Sequence, residues 1–166
     1  MNVSNVMITK EEIQSKVSEI ASQIEKDYKG QELFVIGVLK GACVFVSDLV
    51  REINLPITLD FMAVSSYGMS TESSGIVKII KDLDMDITGM NVLIVEDIID
   101  TGRTLSYLIE YLKMKKPNSV KLCALLDKPD RRVMKDVKVD YTGFEIPDKF
   151  VVGYGLDYNG YYRNVP

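Results

Sequence analysis

Ile13, Val17, Ile20, Ala21 and Ile24 recur at the three- and four-residue spacing of one helical face. Thr9 and Glu12 ahead of them have the spacing of a capping box, and Gly30 follows as a stop, so the pattern predicts a packed amphipathic helix. The period then changes. Residues 33–38 are continuously apolar and read as a strand, the stretch after Leu39-Lys40-Gly41 reads as a helix to about Ile53, and residues 57–64 read as the next strand. Short apolar runs at 77–80 and 120–126 add two more strands. This strand-helix-strand order favours parallel pairing in an α/β sheet. Residues 65–75 form a polar run that is long for a passive connection and is expected to act as a lid. Beyond Lys128 the pattern turns irregular, with apolar pieces near 137–144 and 150–156. There is no repeat or linker, so residues 1–166 are expected to form one domain.

The most informative stretch is 92–104, Val-Leu-Ile-Val-Glu-Asp-Ile-Ile-Asp-Thr-Gly-Arg-Thr. Four apolar residues suit a strand buried on both faces, two carboxylates follow at its carboxyl end, and a Gly/Thr turn leads into a helix from near Arg103 to about Lys116. Open α/β sheets bind ligands at that edge. The turn offers backbone N–H groups, the Thr101 and Thr104 hydroxyls and a helix amino end, which suits a phosphate monoester. It is neither a P-loop nor a Gly-x-Gly-x-x-Gly turn. Glu96 and Asp97 would repel a phosphate; a sugar diol or a divalent cation suits such acceptor-only groups. The expected ligand is a phosphorylated sugar. Asp100 is positioned to cap the helix, to act chemically, or both.

Composition narrows the options further. The 166 residues carry a formal charge of -4, which argues against a broad basic face for nucleic acid. With no histidine in the chain, acid and base work falls to carboxylates, lysine or tyrosine. Cys43 and Cys123 both sit in apolar stretches and are expected to be buried free thiols. The most apolar region, 33–46, is interrupted by Lys40, and no leader stands at Met1; a cytoplasmic protein without membrane segments is expected.

Segment 92–104 resembles the phosphoribosyl-diphosphate motif of the type I phosphoribosyltransferases. Leu39-Lys40-Gly41, Ser66-Tyr67-Gly68, Asp127-Lys128-Pro129 and the run from Gly143 through Phe150 to Arg163 extend the likeness to the hypoxanthine-guanine phosphoribosyltransferases of purine salvage. The resemblance implies a mostly parallel central sheet flanked by helices, a small hood built near the N-terminus and from 128–166, and a flexible lid. It implies that Glu96 and Asp97 hold the ribose, that Asp100, Thr101, Gly102, Arg103 and Thr104 wrap the 5-phosphate, and that Asp100 handles the purine N7 proton. By the same likeness Lys40, Gly41 and Arg163 serve the pyrophosphate, through a Leu-Lys peptide that is cis in some relatives, while Ser66 and Tyr67 begin the lid. Lys128 would donate to the purine 6-oxo group, Phe150 would stack on the base, the Val151 backbone would read its edge, and Asp157, with Glu96 and Asp97, would serve magnesium (Mg2+). On their own, Asp157 and Arg163 read as surface charges, and Phe150 among valines reads as core.

The implied reaction transfers the 5-phosphoribosyl group of 5-phosphoribosyl 1-diphosphate to N9 of a 6-oxopurine, in an enzyme expected to be a homodimer or homotetramer. Two alternatives stand beside it: a phosphoribosyltransferase for xanthine or a pyrimidine, and a non-catalytic nucleotide sensor that binds RNA.

Overall fold

The computed structural model describes residues 3–66 and 77–166. Helix α1 (Lys10–Asp27) starts at the expected box, with Glu12 N–H donating to Thr9 Oγ1 and Thr9 N–H donating to Glu12. Its five predicted apolar positions are all buried. Strands β1 (Leu33–Leu39), β2 (Ile57–Ser66) and β3 (Val77–Lys81) are followed by β4 (Asn91–Ile99), β5 (Ser119–Asp127) and β6 (Tyr141–Glu145), with α2 (Cys43–Glu52) after β1 and α3 (Arg103–Lys113) after β4. They form one sheet in the order β3-β2-β1-β4-β5-β6. All neighbours run parallel except β2 and β3.

Why the central strands read as unbroken apolar runs is plain from what covers them. Val35, Leu93, Val95 and Leu125 pack with α1 and α2, whereas Phe34, Ile36, Ile94 and Leu122 pack with Leu105, Leu108 and Leu112 of α3. A strand covered on both faces has no polar alternation to show. Truncating a fully buried side chain such as Leu108 to alanine in this layer costs about 2–5 kcal/mol.

The chain lays β1, β2 and β3 outward to one side, returns to place β4 against β1, and continues to the other side. The crevice at the carboxyl ends of β1 and β4 is therefore the topological switch point where ligands of such sheets bind.

Four expectations need correction. β4 does not end after Val95: it runs on through Glu96 and Asp97 to Ile99, so the two acids belong to the strand, with Glu96 opposite Ala124 and Ile99 opposite Asp127. The region after Lys128 contains a regular strand, β6, whose partner β5 supplies the register that local sequence does not. Cys123 is buried, and burial pushes its thiol up, but Cys43 is exposed because α2 turns Phe45, Val46 and Leu49 to the core. Asp100 does not cap α3; the N-cap is Gly102, in the left-handed region at φ +85°. Of the expected lid, Ser65 and Ser66 end β2, while Tyr67 and residues 68–75 lie outside the described residues.

Candidate active site

The turn after β1 and the end of β4 meet closely. The Leu39–Lys40 peptide is cis. Lys40 is exposed, and Gly41 lies so near Asp97 that a Cβ on the glycine would fall 1.8 Å from Asp97 Oδ2. Gly155, at φ +101°, seals the other side: a Cβ there would fall 2.3 Å from the Gly41 carbonyl oxygen. Arg163 donates from Nη1 to the Gly155 carbonyl oxygen at 2.6 Å and sits 3.3 Å from Asp157. Asp157 in turn accepts from Gly160 N–H at 2.8 Å. Lys40, Gly41, Asp157 and Arg163, read from separate stretches of sequence, thus form one connected patch through Gly155.

On β4 the two acids differ. Glu96 is buried and Asp97 half-buried. Burial, with the adjacent Asp97 charge second, holds the Glu96 carboxyl well above the usual carboxylate range. One oxygen of each is engaged locally: Glu96 Oε1 accepts from Asp97 N–H at 3.0 Å and Asp97 Oδ1 from Ile98 N–H at 2.7 Å. Burial thus shifts Glu96 toward the neutral acid, and the oxygens of either form suit a sugar hydroxyl.

The next turn presents donors. Gly102 has no side chain to cap α3, and Thr101 Oγ1 accepts from the Arg103 N–H at 3.4 Å. Among the described residues the N–H groups of Thr101, Gly102 and Thr104 have no acceptor. Unused amides at a helix amino end make an anion site. Asp100 Oδ1 lies 2.9 Å from Arg131 Nε, yet no donor addresses this buried atom with hydrogen-bond geometry.

Lys128 is buried at the end of β5, and its N–H donates to the Ile99 carbonyl oxygen at 3.0 Å, which sets it beside the Asp100 turn. Its ammonium is 3.9 Å from Asp148, and Asp148 is 3.5 Å from Arg131. Phe150 is 72% exposed, edge-on to Tyr158 at 5.7 Å between centroids, so it is a presented ring rather than core. Val151 packs behind it into the apolar layer. A cavity of about 690 Å3 opens beside this ring, bounded by Phe150, Val151, Leu156 and Tyr158 and by the segment from Val3 to Ile8. None of Glu96, Asp97 or Asp100 reaches it.

For a metal, the available donors are hard carboxylate oxygens, the set magnesium prefers. Among the described residues no three acids converge as a closed cage. Glu96 and Asp97 stand together on β4, and Asp157 stands apart with Arg163. That fits a magnesium ion taking one or two carboxylates and completing its shell with substrate oxygens.

Sequence reading did not single out Arg131, Arg132, Asp148 or Gly155. The charged run from Asp127 to Arg132 and the Gly-Tyr-Gly at 153–155 were the available signals, but their use depends on which strand ends they meet.

Comparison with known proteins agrees with the geometry. Residues 7–159 match the phosphoribosyl transferase domain model. The chain is 53% identical over 165 residues to the hypoxanthine-guanine phosphoribosyltransferase of Bacillus subtilis (strain 168), covering 99% of this chain and 91% of that protein. It is 51% identical to the Mycobacterium bovis enzyme of the same name, covering 99% and 84%. Among solved structures, a hypoxanthine-guanine phosphoribosyltransferase from Bacillus anthracis superposes with a TM-score of 0.93 at 51% identity, covering 98% of this chain and 95% of the other. The Staphylococcus aureus hypoxanthine phosphoribosyltransferase gives 0.95 at 48%, covering 99% and 89%. The amide-lined turn at the switch point and this end-to-end likeness lead to one conclusion: the chain belongs to the phosphoribosyltransferase family, on its hypoxanthine-guanine branch.

Proposed function

We propose that this chain transfers the 5-phosphoribosyl group from 5-phosphoribosyl 1-diphosphate to N9 of hypoxanthine or guanine, releasing pyrophosphate. The observation that carries the reading is the pairing of Glu96 and Asp97 with the amides of Thr101, Gly102 and Thr104, which have no acceptor among the described residues, at one strand end. A ribose needs the first set and its 5-phosphate the second. Relatives at half identity or more named for this reaction support the choice of base.

The leaving diphosphate accumulates negative charge while the anomeric carbon becomes cationic, so the site must hold an anion on one side and a cationic sugar between acids. Lys40, the Gly41 loop and Arg163 suit the diphosphate. Bound at Glu96 and Asp97 or at Asp157, magnesium would supply neutralisation of that leaving anion. Asp100, whose side chain is part-exposed at the turn with Oδ1 beside Arg131, suits the N7 proton. Lys128 offers donors only, which favours a 6-oxo over a 6-amino purine, and Phe150 offers a ring face. Residues 65–75, with Ser66 and Tyr67 at their start, would cover the diphosphate and exclude water.

The hood is assigned to the N-terminal segment and residues 128–166 of a single domain. No described helix is long and apolar enough to cross a membrane. A cytoplasmic homodimer or homotetramer without nucleic acid is the assembly we propose, to be read by light scattering. The reaction itself is tested by mixing protein, magnesium and 5-phosphoribosyl 1-diphosphate with each purine base and following nucleotide and pyrophosphate together. Pyrophosphate that appears without nucleotide, or with adenine alone, would overturn the assignment.

A further inference from the structure

We propose that Arg132, held by Asp127, is a positioning residue that aims the amides of the Asp100–Gly102 turn at the ligand; the proposal rests on that turn being the 5-phosphate site. Arg132 and Asp127 form an ion pair whose side chains are only 12% and 10% exposed. Such a pair costs desolvation and persists where its geometry is constrained by further hydrogen bonds. Here the further bond goes to the turn: Arg132 Nε donates to the Asp100 carbonyl oxygen at 3.2 Å. The next two residues continue the contact, since Val133 N–H and Met134 N–H both donate to the Thr101 carbonyl oxygen, at 2.9 and 3.0 Å.

Two consecutive carbonyls are thus pinned toward the 132–134 segment. In a trans peptide the carbonyl and the following N–H point in opposite directions, and both peptides here are trans. The N–H groups of Thr101 and Gly102 are therefore directed away from Arg132, and among the described residues they have no acceptor. Gly102 is pressed from behind as well: a Cβ on it would meet Arg132 Cδ at 3.1 Å and Met134 Cβ at 3.4 Å. Arg132 serves both partners because its guanidinium presents Nε and a terminal nitrogen in a fixed fork, with Asp127 anchoring one arm at the end of β5. A lysine has one ammonium and no such fork.

The test compares binding of GMP and guanosine by calorimetry to the wild type, Arg132→Lys and Asp127→Asn, with thermal melts alongside. Guanosine has the base and ribose but no 5-phosphate. Arg132→Lys keeps the charge beside Asp127 and is expected to lose about tenfold in GMP affinity while guanosine stays within about twofold. Asp127→Asn is expected to shift the same ratio in the same direction, so the test stands if either variant alone folds. Variants that keep the wild-type ratio, or that lose both ligands in parallel with a fall in Tm, overturn the positioning role. A wild type that binds GMP no better than guanosine would instead remove the phosphate site on which the proposal rests, and both would fall.

Discussion

Gly41, in the turn after β1, and Asp97, on β4, lie at such close range that the space a Cβ would need beside the glycine is already filled by the Asp97 carboxylate. The obstruction is a functional side chain, so adding a methyl group displaces the acid rather than merely crowding the core. Gly41→Ala is expected to lower kcat/KM for 5-phosphoribosyl 1-diphosphate by at least about tenfold, since a small misplacement of a binding group can cost that much or more. Tm should move by no more than a few degrees. Steady-state kinetics with a parallel melt checks this, and unchanged kinetics would mean that Asp97 does not need its observed position.

Asp100 separates chemistry from binding. Because α3 is capped at Gly102 and not by Asp100, removing this carboxylate leaves the helix start and the amides of the turn in place. Asp100→Ala is expected to lower turnover by about 10² to 10⁴ while the affinity for 5-phosphoribosyl 1-diphosphate changes little. Pre-steady-state measurement of transfer, with equilibrium binding beside it, distinguishes the two. Equal losses in both would make Asp100 a ligand-holding residue.

Lys128 should act on the choice of base. Its ammonium is buried and paired at 3.9 Å with Asp148, so it is held and not free to swing to whatever base arrives. Lys128→Gln is expected to raise KM for hypoxanthine and guanine by about tenfold and to narrow the preference over adenine, because the glutamine amide can both donate and accept. Competition between hypoxanthine and adenine in one reaction reads the preference directly. If the variant keeps the wild-type ratio, the 6-oxo group is recognised elsewhere.

How far the sequence could be read follows from the range of each interaction. Helix α1 was legible because its box and its apolar stripe are local, within four residues at every step. The 92–104 segment was legible as well, since strand, acids and turn are contiguous, although the unbroken apolar run ended the expected strand at Val95 and hid that β4 carries its acids within the ladder. Strand β6 escaped because its register comes from β5, and Cys43 was misplaced because an apolar neighbourhood does not say which side of a short helix faces inward. The contacts of Arg132 with Asp100 and of Gly155 with Gly41 join positions 32 and more than a hundred residues apart. No local pattern encodes them.

The ionisation of Glu96 gives a signature in stability that needs no substrate. Its carboxyl is held well above the ordinary range, first by burial and then by the Asp97 charge. An acid raised in this way keeps its proton in the folded protein at pH values where the unfolded chain, near its ordinary value of about 4.3, has already released it. Its contribution to stability is therefore fully present below that unfolded value and is lost as pH rises through the folded one. Glutamine at this position has nearly the same shape and no proton to lose. Glu96→Gln is accordingly expected to match the wild type in Tm near pH 4 and to melt above it at pH 7, while losing activity through the altered ribose contact. The other carboxylates titrate in both proteins, so the difference between the two melting curves across a pH series from 4 to 8 isolates this group and its coupling to Asp97. A difference that stays constant with pH would show that Glu96 titrates alike in the folded and unfolded chain, and that its burial is relieved in solution.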